Sequence, residues 1–451
     1  MFPHSNPRTT RQATLLCCLA LATIFTGCGS SDGVEFVLNT EGVPSFETQL
    51  AQQSEILASQ AESNADINVD ERLDEFSDSY FRKTDELAAA LEALFGTPDD
   101  PARPPQTGLD IDLIRRAAGP TGGADVEPLL DEDGNVIAPG YHLGGLYREH
   151  CVHCHGMTGD GAGPTALFLN PYPRDYRQGT FKFTSTQSKE KPTDEDLRRT
   201  IENGLHGTLM PAFRVALTAD EISALIEYVK YFAMRGEVEL FLRAELFESG
   251  ETLFFEDGTF NGELINTNVE LVASLWSNVT VVQPVPRPGG KSWEELTAAE
   301  KQESLEIGER LFRNEGQCIK CHGPAGLGDG GQLNYDDWNT QKALVEDEAE
   351  RAEMWLLPLQ ELKARNLQLG VFRGGRRPID IYRRIRNGIT GTPMPAANVG
   401  GSPIPDPLNP GQMIEPMEEE QIWHIVDYVL SLQYQRGFRT PSPEMNAPNG
   451  R

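Results

Sequence analysis

Two stretches of this chain alternate apolar and polar residues with the period of a helix, and they do so in the same way. Ile222, Leu225, Ile226, Val229 and Phe232 recur at three- and four-residue steps, and so do Ile422, Ile425, Val426, Val429 and Leu432. Each set makes one apolar stripe, so each stretch reads as a helix with one face in a core. Thr218 and Glu221 form a capping box ahead of the first, and Gly236 reads as its stop. Tyr228 and Tyr428 occupy matching places and read as core residues. A further helix reads over Phe76 to Phe95, ahead of the Pro-rich PDDPARPP. Between about 240 and 300, LFFEDGTF and NVTVVQPVPRPGG carry β-branched and aromatic residues, which suggests a strand or two before a linker.

The two stripes close two copies of one longer unit, and a repeat of this kind governs the whole fold. The first copy runs from Leu146-Tyr147-Arg148-Glu149-His150 through CVHCHGMTGDGAG and DLRRTIENGLHGTLMPAF to the first stripe. The second runs from Leu311-Phe312-Arg313-Asn314-Glu315 through CIKCHGPAGLGDGG and DIYRRIRNGITGTPMPAA to the second. Order and chemistry match block by block. The second copy is longer in its middle, by an insertion that takes in the acidic VEDEAERAE.

Charge narrows the function. The chain has 451 residues and a formal net charge of −29, with 39% hydrophobic and 24% charged residues. That composition fits a water-facing globular protein with more than one core. So acidic a surface argues against nucleic-acid binding and for basic protein partners. At the N-terminus, Arg8 and Arg11 precede an apolar run from Ala13 to Phe25, too short to span a bilayer and laid out like a secretory signal. The run ends in Phe25-Thr26-Gly27-Cys28, which resembles a bacterial lipobox and would make Cys28 the lipidated first residue of the mature protein. A plain signal peptide with an incidental Cys28 is the other reading; both lead outside the cytoplasm. No later stretch is long and apolar enough to cross a membrane.

Of seven cysteines, Cys17, Cys18 and Cys28 lie in or at the end of that apolar run. The other four are the pairs Cys151/Cys154 and Cys318/Cys321, which leaves none for an ordinary structural disulfide. A Cys-x-x-Cys pair suits a zinc half-site, a redox pair or a haem attachment; a histidine directly after it favours haem c. That histidine is present both times, as His155 and His322. Two thiols bond the two vinyl groups and the histidine faces the iron, so two covalently attached haem c groups are expected. Met210 and Met394 stand in NGLHGTLMP and NGITGTPMP, whose glycines and following Pro211 and Pro395 suit a tight loop carrying one sulfur over a flat ring. A thioether opposite histidine raises the reduction potential and suits electron transfer. His206 and His150 are the alternative ligands for the first site. The segment PYPRDYRQGTFKFTS, with Arg174, Arg177 and Lys182, either lines the haem edge and pairs with propionates or is an ordinary surface loop. Arg373, Arg376, Arg377, Arg383, Arg384 and Arg386 form a second basic cluster, open to the same two readings or to partner docking. No Ser-His-Asp set, phosphate loop or paired-carboxylate signature stands out.

Each copy resembles a class I c-type cytochrome domain: a helix, CxxCH, loops, a Met-Pro segment and a closing helix. The likeness covers about 140–236 and 304–434. It implies a mainly α fold of two tandem small all-α domains, the first and last helices of each crossing near Tyr147 and Phe312. It also implies low-spin irons ligated by His155 with Met210 and by His322 with Met394. In that family a proline after the motif accepts a hydrogen bond from the ligating histidine and orients its ring. Pro164 is placed for this in the first copy, and Gly331 stands at the same offset in the second. The expected organisation is a lipoprotein-type signal peptide over residues 1–28, an acidic tether or helical region over 29–105 and a first cytochrome domain over 106–240. An interdomain linker over 241–303, a second cytochrome domain over 304–440 and a loose tail over 441–451 complete it. The expected function is single-electron transfer by a periplasmic, lipid-anchored di-haem carrier between respiratory redox proteins with basic docking surfaces. The alternative is a di-haem enzyme of peroxidase or thiosulfate-oxidising type, or a haem subunit of a larger complex.

Overall fold

The computed structural model describes residues 34–39, 46–64, 66–119, 145–331, 357–358, 360–406 and 411–434, with short strand segments between 125 and 142. The signal segment with Cys28, the acidic insert VEDEAERAE and the 441–451 tail lie outside the described residues. Two units divide the chain, Met1–Glu35 and Phe36–Arg451, and every described helix and strand lies in the second.

Helices α1 (Phe46–Ser63) and α2 (Val69–Phe95) pair with each other. Asn68 caps α2 by accepting from the Glu71 N–H, and the acidic first turn suits the positive end of the helix dipole. The expected Phe76–Phe95 helix thus starts earlier, and a second helix precedes it. This region is also more than a tether, because Leu87, Leu91 and Phe95 are fully buried in the core of the first repeat. Tyr231 donates to the Phe95 carbonyl across that contact, at 2.5 Å.

The opening helix of the first repeat is split. Helix α3 (Ile111–Ala118) lies along α7 (Ala219–Ala244), and α4 (Leu146–His150) continues it after an excursion. The excursion carries two antiparallel pairs, β1 (Asp125–Val126) with β4 (Tyr141–His142) and β2 (Leu129–Leu130) with β3 (Val136–Ala138). At the joint, a Cβ on Gly145 would collide with the Ala118 backbone, so only glycine lets the two half-helices abut. A single turn α5 (Val152–His155) and helix α6 (Asp194–Asn203) follow before α7. Helix α7 runs on past Gly236, which is no stop. That glycine instead clears space for Arg177, whose backbone a Cβ there would strike.

Helix α8 (Gly262–Ser277) buries Ile265, Val269, Val272 and Trp276 at helical spacing, where a strand or two was expected. The β-branched segments on either side of it form isolated bridges only, Phe254 with Phe260 and Val281 with Thr186. The second repeat comprises α9 (Ala298–Arg313), the turn α10 (Ile319–His322), α11 (Pro378–Asn387) and α12 (Ile422–Ser431), with a short pair β5 (Ile404–Pro405) and β6 (Met413–Ile414). Helices α9 and α12 cross where Gly308 meets the His424 carbonyl, leaving no room for a Cβ. Ser304 bridges the same crossing to His424 Nδ1 at 2.7 Å and Asp427 at 2.8 Å, and Arg287 clamps that carboxylate with two bonds of 2.9 Å.

Leu91 separates a tether from a structural arm. Leu91→Ala removes side-chain volume from a fully buried site, and should cost about 2–5 kcal/mol in a denaturant titration of the first repeat. A tether would show no change.

Candidate functional site

The helical turn after each opening helix sets the spacing of the two thiols and the imidazole. His155 N–H donates to Cys151 O at 2.9 Å, and His322 N–H donates to Cys318 O at 2.9 Å. One turn thus carries Cys151, Cys154 and His155 together, and its copy carries Cys318, Cys321 and His322. None of the four cysteines is in a disulfide, and all are partly buried. Gly156 (φ 76°) and Gly323 (φ 72°) end the turns in the left-handed region, and a Cβ on either would run into the carboxylate of Asp160 or Asp329. The chain then folds back identically in both copies. Gly161 and Gly328 donate to the two histidine carbonyls at 2.9 Å, and Gly163 and Gly330 donate to Cys154 and Cys321 at 3.1 Å. From the opening helix, Tyr147 donates to the Gly156 carbonyl at 2.8 Å.

Both imidazoles are aimed by a backbone carbonyl. His155 Nδ1 lies 3.2 Å from Arg174 O, and His322 Nδ1 lies 3.0 Å from Arg365 O. A carbonyl only accepts, so Nδ1 carries the proton and Nε2 keeps its lone pair for a metal. Pro164 does not fill the role expected of it. The return strand of the Gly-rich loop turns it outward to solvent, and the carbonyl that reaches the ring belongs to a later loop. The second copy therefore lacks nothing by having Gly331. Burial lowers the His155 pKa to about 4, against the hydrogen bond to Arg174 O, and lowers that of His322 as well. Both rings are neutral near pH 7, as metal ligation requires. Tyr176 stacks on His155 with ring centroids 4.7 Å apart.

The methionine loops are as alike as the thiol turns. Met210 N–H donates to Thr208 Oγ1 at 3.1 Å, and Met394 N–H donates to Thr392 Oγ1 at 3.2 Å. Each threonine hydroxyl donates onward, Thr208 to Leu205 O at 2.7 Å and Thr392 to Ile389 O at 2.8 Å. The loops are closed by Leu205 N–H to Met210 O at 3.2 Å and Ile389 N–H to Met394 O at 3.0 Å.

In the first repeat these parts converge. Cys151, Cys154, His155 and Met210 line one cavity of about 270 Å³, whose walls include Tyr176, Phe181, Leu197, Ile201, Leu225 and Val229. His150 also reaches this wall, whereas His206 is exposed and outside it. Arg174 and Lys182 line the cavity too; Arg177 is instead held by Asp175 through bonds of 3.0 and 2.8 Å. Arg373 reaches in from the second repeat.

This donor set fits a covalently held haem. Burial pushes the Cys151 and Cys318 thiols up to about 12, with the paired cysteine of each adding to the rise. That is the reverse of the depressed thiol pKa on which thiolate redox chemistry depends. Among the described residues, no group of three or more His, Cys, Asp or Glu side chains is placed to hold a metal ion by itself. An apolar-walled cavity, two thiols, one neutral imidazole and one thioether match the ring, the vinyl groups and the iron together.

Residues 142–229 match the family model of the cbb3-type cytochrome c oxidase subunit III, and residues 305–433 match that of cytochrome c. The chain carries two cytochrome c domains. Such domains imply covalent haem c and single-electron transfer. A solved structure from Kuenenia stuttgartiensis, a reducing HAO-like protein complex, aligns at 24% identity over 64% of this chain and 93% of that chain, with a TM-score of 0.39. Comparison with curated proteins found no significant match. Among the described residues no helix is long and apolar enough to cross a membrane.

Sequence reasoning passed over Thr208, Thr392 and the two arginine carbonyls. The threonines had a signal, a Gly-Thr-x-Met-Pro phrase written twice; the carbonyls had none, since any residue supplies one. Thr208→Val and Thr392→Val each remove an acceptor for the methionine N–H and a donor to the loop. Each should cost about 1–3 kcal/mol by urea titration, and by similar amounts in the two cytochrome domains.

Proposed function

We propose that each cytochrome domain holds one haem c, bonded to Cys151 and Cys154 and ligated by His155 and Met210 in the first, and bonded to Cys318 and Cys321 and ligated by His322 and Met394 in the second. The carrying observation is the near-identity of two hydrogen-bonded frameworks, thiol turn, aimed imidazole and methionine loop, in sequences that otherwise differ widely. When bound, the group supplies an iron that gains and gives up one electron. The chain would supply the rest: two thiols, a neutral imidazole and a thioether in each domain, and in the first an apolar cavity wall around them.

Methionine loops built alike in both domains favour a carrier over an enzyme, which would need one position open to substrate. The net charge of −29 favours basic redox partners, whose approach it speeds. Cytochrome c domains usually work outside the cytoplasm, in keeping with an N-terminal segment that resembles a signal with Cys28 as lipid attachment site. A periplasmic, lipid-anchored electron carrier is the reading these features support together. The expected boundaries 106–240 and 304–440 remain a useful division, with α2 and α8 added to the first domain because their buried faces complete that core.

Haem content and the ferric spectrum test this directly. Two covalent haems per chain are expected, with two equivalents of the sulfur-to-iron charge-transfer band. The double variant Cys151→Ala/Cys154→Ala should halve covalent haem and leave the second domain's band in place. A wild-type protein with one such band or none would overturn the carrier reading and call for assays of peroxide and thiosulfate turnover.

A further inference from the structure

The two domains meet through a reciprocal relation between residues at equivalent places. Arg174-Asp175-Tyr176 and Arg365-Asn366-Leu367 occupy equivalent places, since Arg174 O and Arg365 O are the acceptors for the two histidines. Gly207 and Gly391 are likewise equivalent, each three residues ahead of its methionine. The contacts between these positions are crossed. A Cβ on Gly207 would lie 2.7 Å from Nη2 of Arg365 and 3.0 Å from Val371, both of the second domain. A Cβ on Gly391 would lie 3.2 Å from Nη2 of Arg174 and 3.0 Å from Thr180, both of the first. Each methionine loop keeps glycine here because of its φ of 76° and 73°, and the tip of the other domain's arginine packs directly against it.

The helices that lead into these loops are tied across the same relation. Asp196 and Asp380 stand at equivalent places in α6 and α11, both buried. Arg199 spans them, 3.0 Å from Asp196 and 3.8 Å from Asp380. Asn387, last residue of α11, donates to Thr186 O of the first domain at 2.8 Å. Arg373 of the second domain forms part of the first domain's cavity wall.

We infer that Arg174 and Arg365 are reciprocal positioning residues, each joining the iron-ligating histidine of its own domain to the methionine loop of the other, so that the two redox centres are coupled through the protein. Within three bonds of one arginine's Cα, the carbonyl fixes a histidine ring; at the far end of the same residue, the guanidinium braces the opposite loop. Arg365 Nη2 also donates to Val371 O at 3.3 Å, which holds the guanidinium in that position. A change in ligand geometry at one centre thus moves a residue that the other centre rests on. The inference stands on the haem and ligand assignment proposed above.

Arg365→Gln in the full-length holoprotein separates crossed from local action, because it keeps the carbonyl and removes the brace. Two one-electron waves are first assigned with Met210→His and Met394→His, each of which should displace the wave of its own domain to lower potential. In Arg365→Gln the wave of the Met210 domain should shift by about 59 mV, a tenfold change in its reduction equilibrium, and that domain's sulfur-to-iron band should weaken. Arg365→Lys, which keeps a cation on a long stem, should restore part of the shift. A shift confined to the Met394 domain, or no shift with both haems retained, overturns the inference. Should wild type itself lack two methionine-ligated haems, the ligand assignment fails instead. If Arg365→Gln loses haem altogether, the mirror variant Arg174→Gln decides by the same reading, with its shift expected in the Met394 domain.

Discussion

The hydrogen bond from a histidine Nδ1 to a backbone carbonyl is the contact on which the rest of this structure depends. It settles the tautomer, aims Nε2 and holds the ring in a buried place where protonation is disfavoured. For the bond to exist, the CxxCH turn must stop at once, which Gly156 and Gly323 allow. A second loop must then return to the ring, which the Gly-rich segments and the Arg174 and Arg365 loops provide. The crossing of the opening and closing helices gives both loops their platform. Gly308 at α9–α12 shows how close that crossing is.

The two domains reach this arrangement with different scaffolding. The second uses one unbroken opening helix, α9, while the first divides the same element into α3 and α4 around a strand-bearing excursion. A broken helix loses intrahelical hydrogen bonds at the break and leaves less continuous surface against its partner. The first domain makes up that loss with α2, α8 and a longer closing helix, which together add a large apolar layer including Leu87, Phe95, Val269 and Trp276. The acidic N-terminal region is thus drawn into the core by what the opening helix cannot bury alone.

The sequence made some of this plain and hid the rest for identifiable reasons. The stripes at Ile222–Phe232 and Ile422–Leu432 were legible because period alone decides such helices. The ligand candidates were legible because Cys-x-x-Cys-His and Gly-Thr-x-Met-Pro each occur twice. Helix α8 was obscured by β-branched and aromatic neighbours, although Ile265, Val269, Val272 and Trp276 do follow helical spacing. Gly236 looked like a helix end because glycine is costly inside a helix; a collision with Arg177, invisible in sequence, is what requires it. Pro164 failed for a related reason. The acceptor for a histidine N–H is chosen by the path of a loop, and a backbone carbonyl leaves no residue type as a mark.

Crossed contacts change what a duplicated electron-transfer domain means. Two independent copies would each fix their own ligands, and any separation would leave both intact. Here Gly207 and Gly391 each pack against the tip of the opposite domain's arginine, and Asp196 and Asp380 share Arg199. Each of these contacts lies on an element that carries a candidate iron ligand or leads directly to one. Packing of this density transmits displacement instead of absorbing it. The duplication is therefore better regarded as one two-centred device, whose halves pack against each other's candidate ligand loops, than as two carriers joined by a linker.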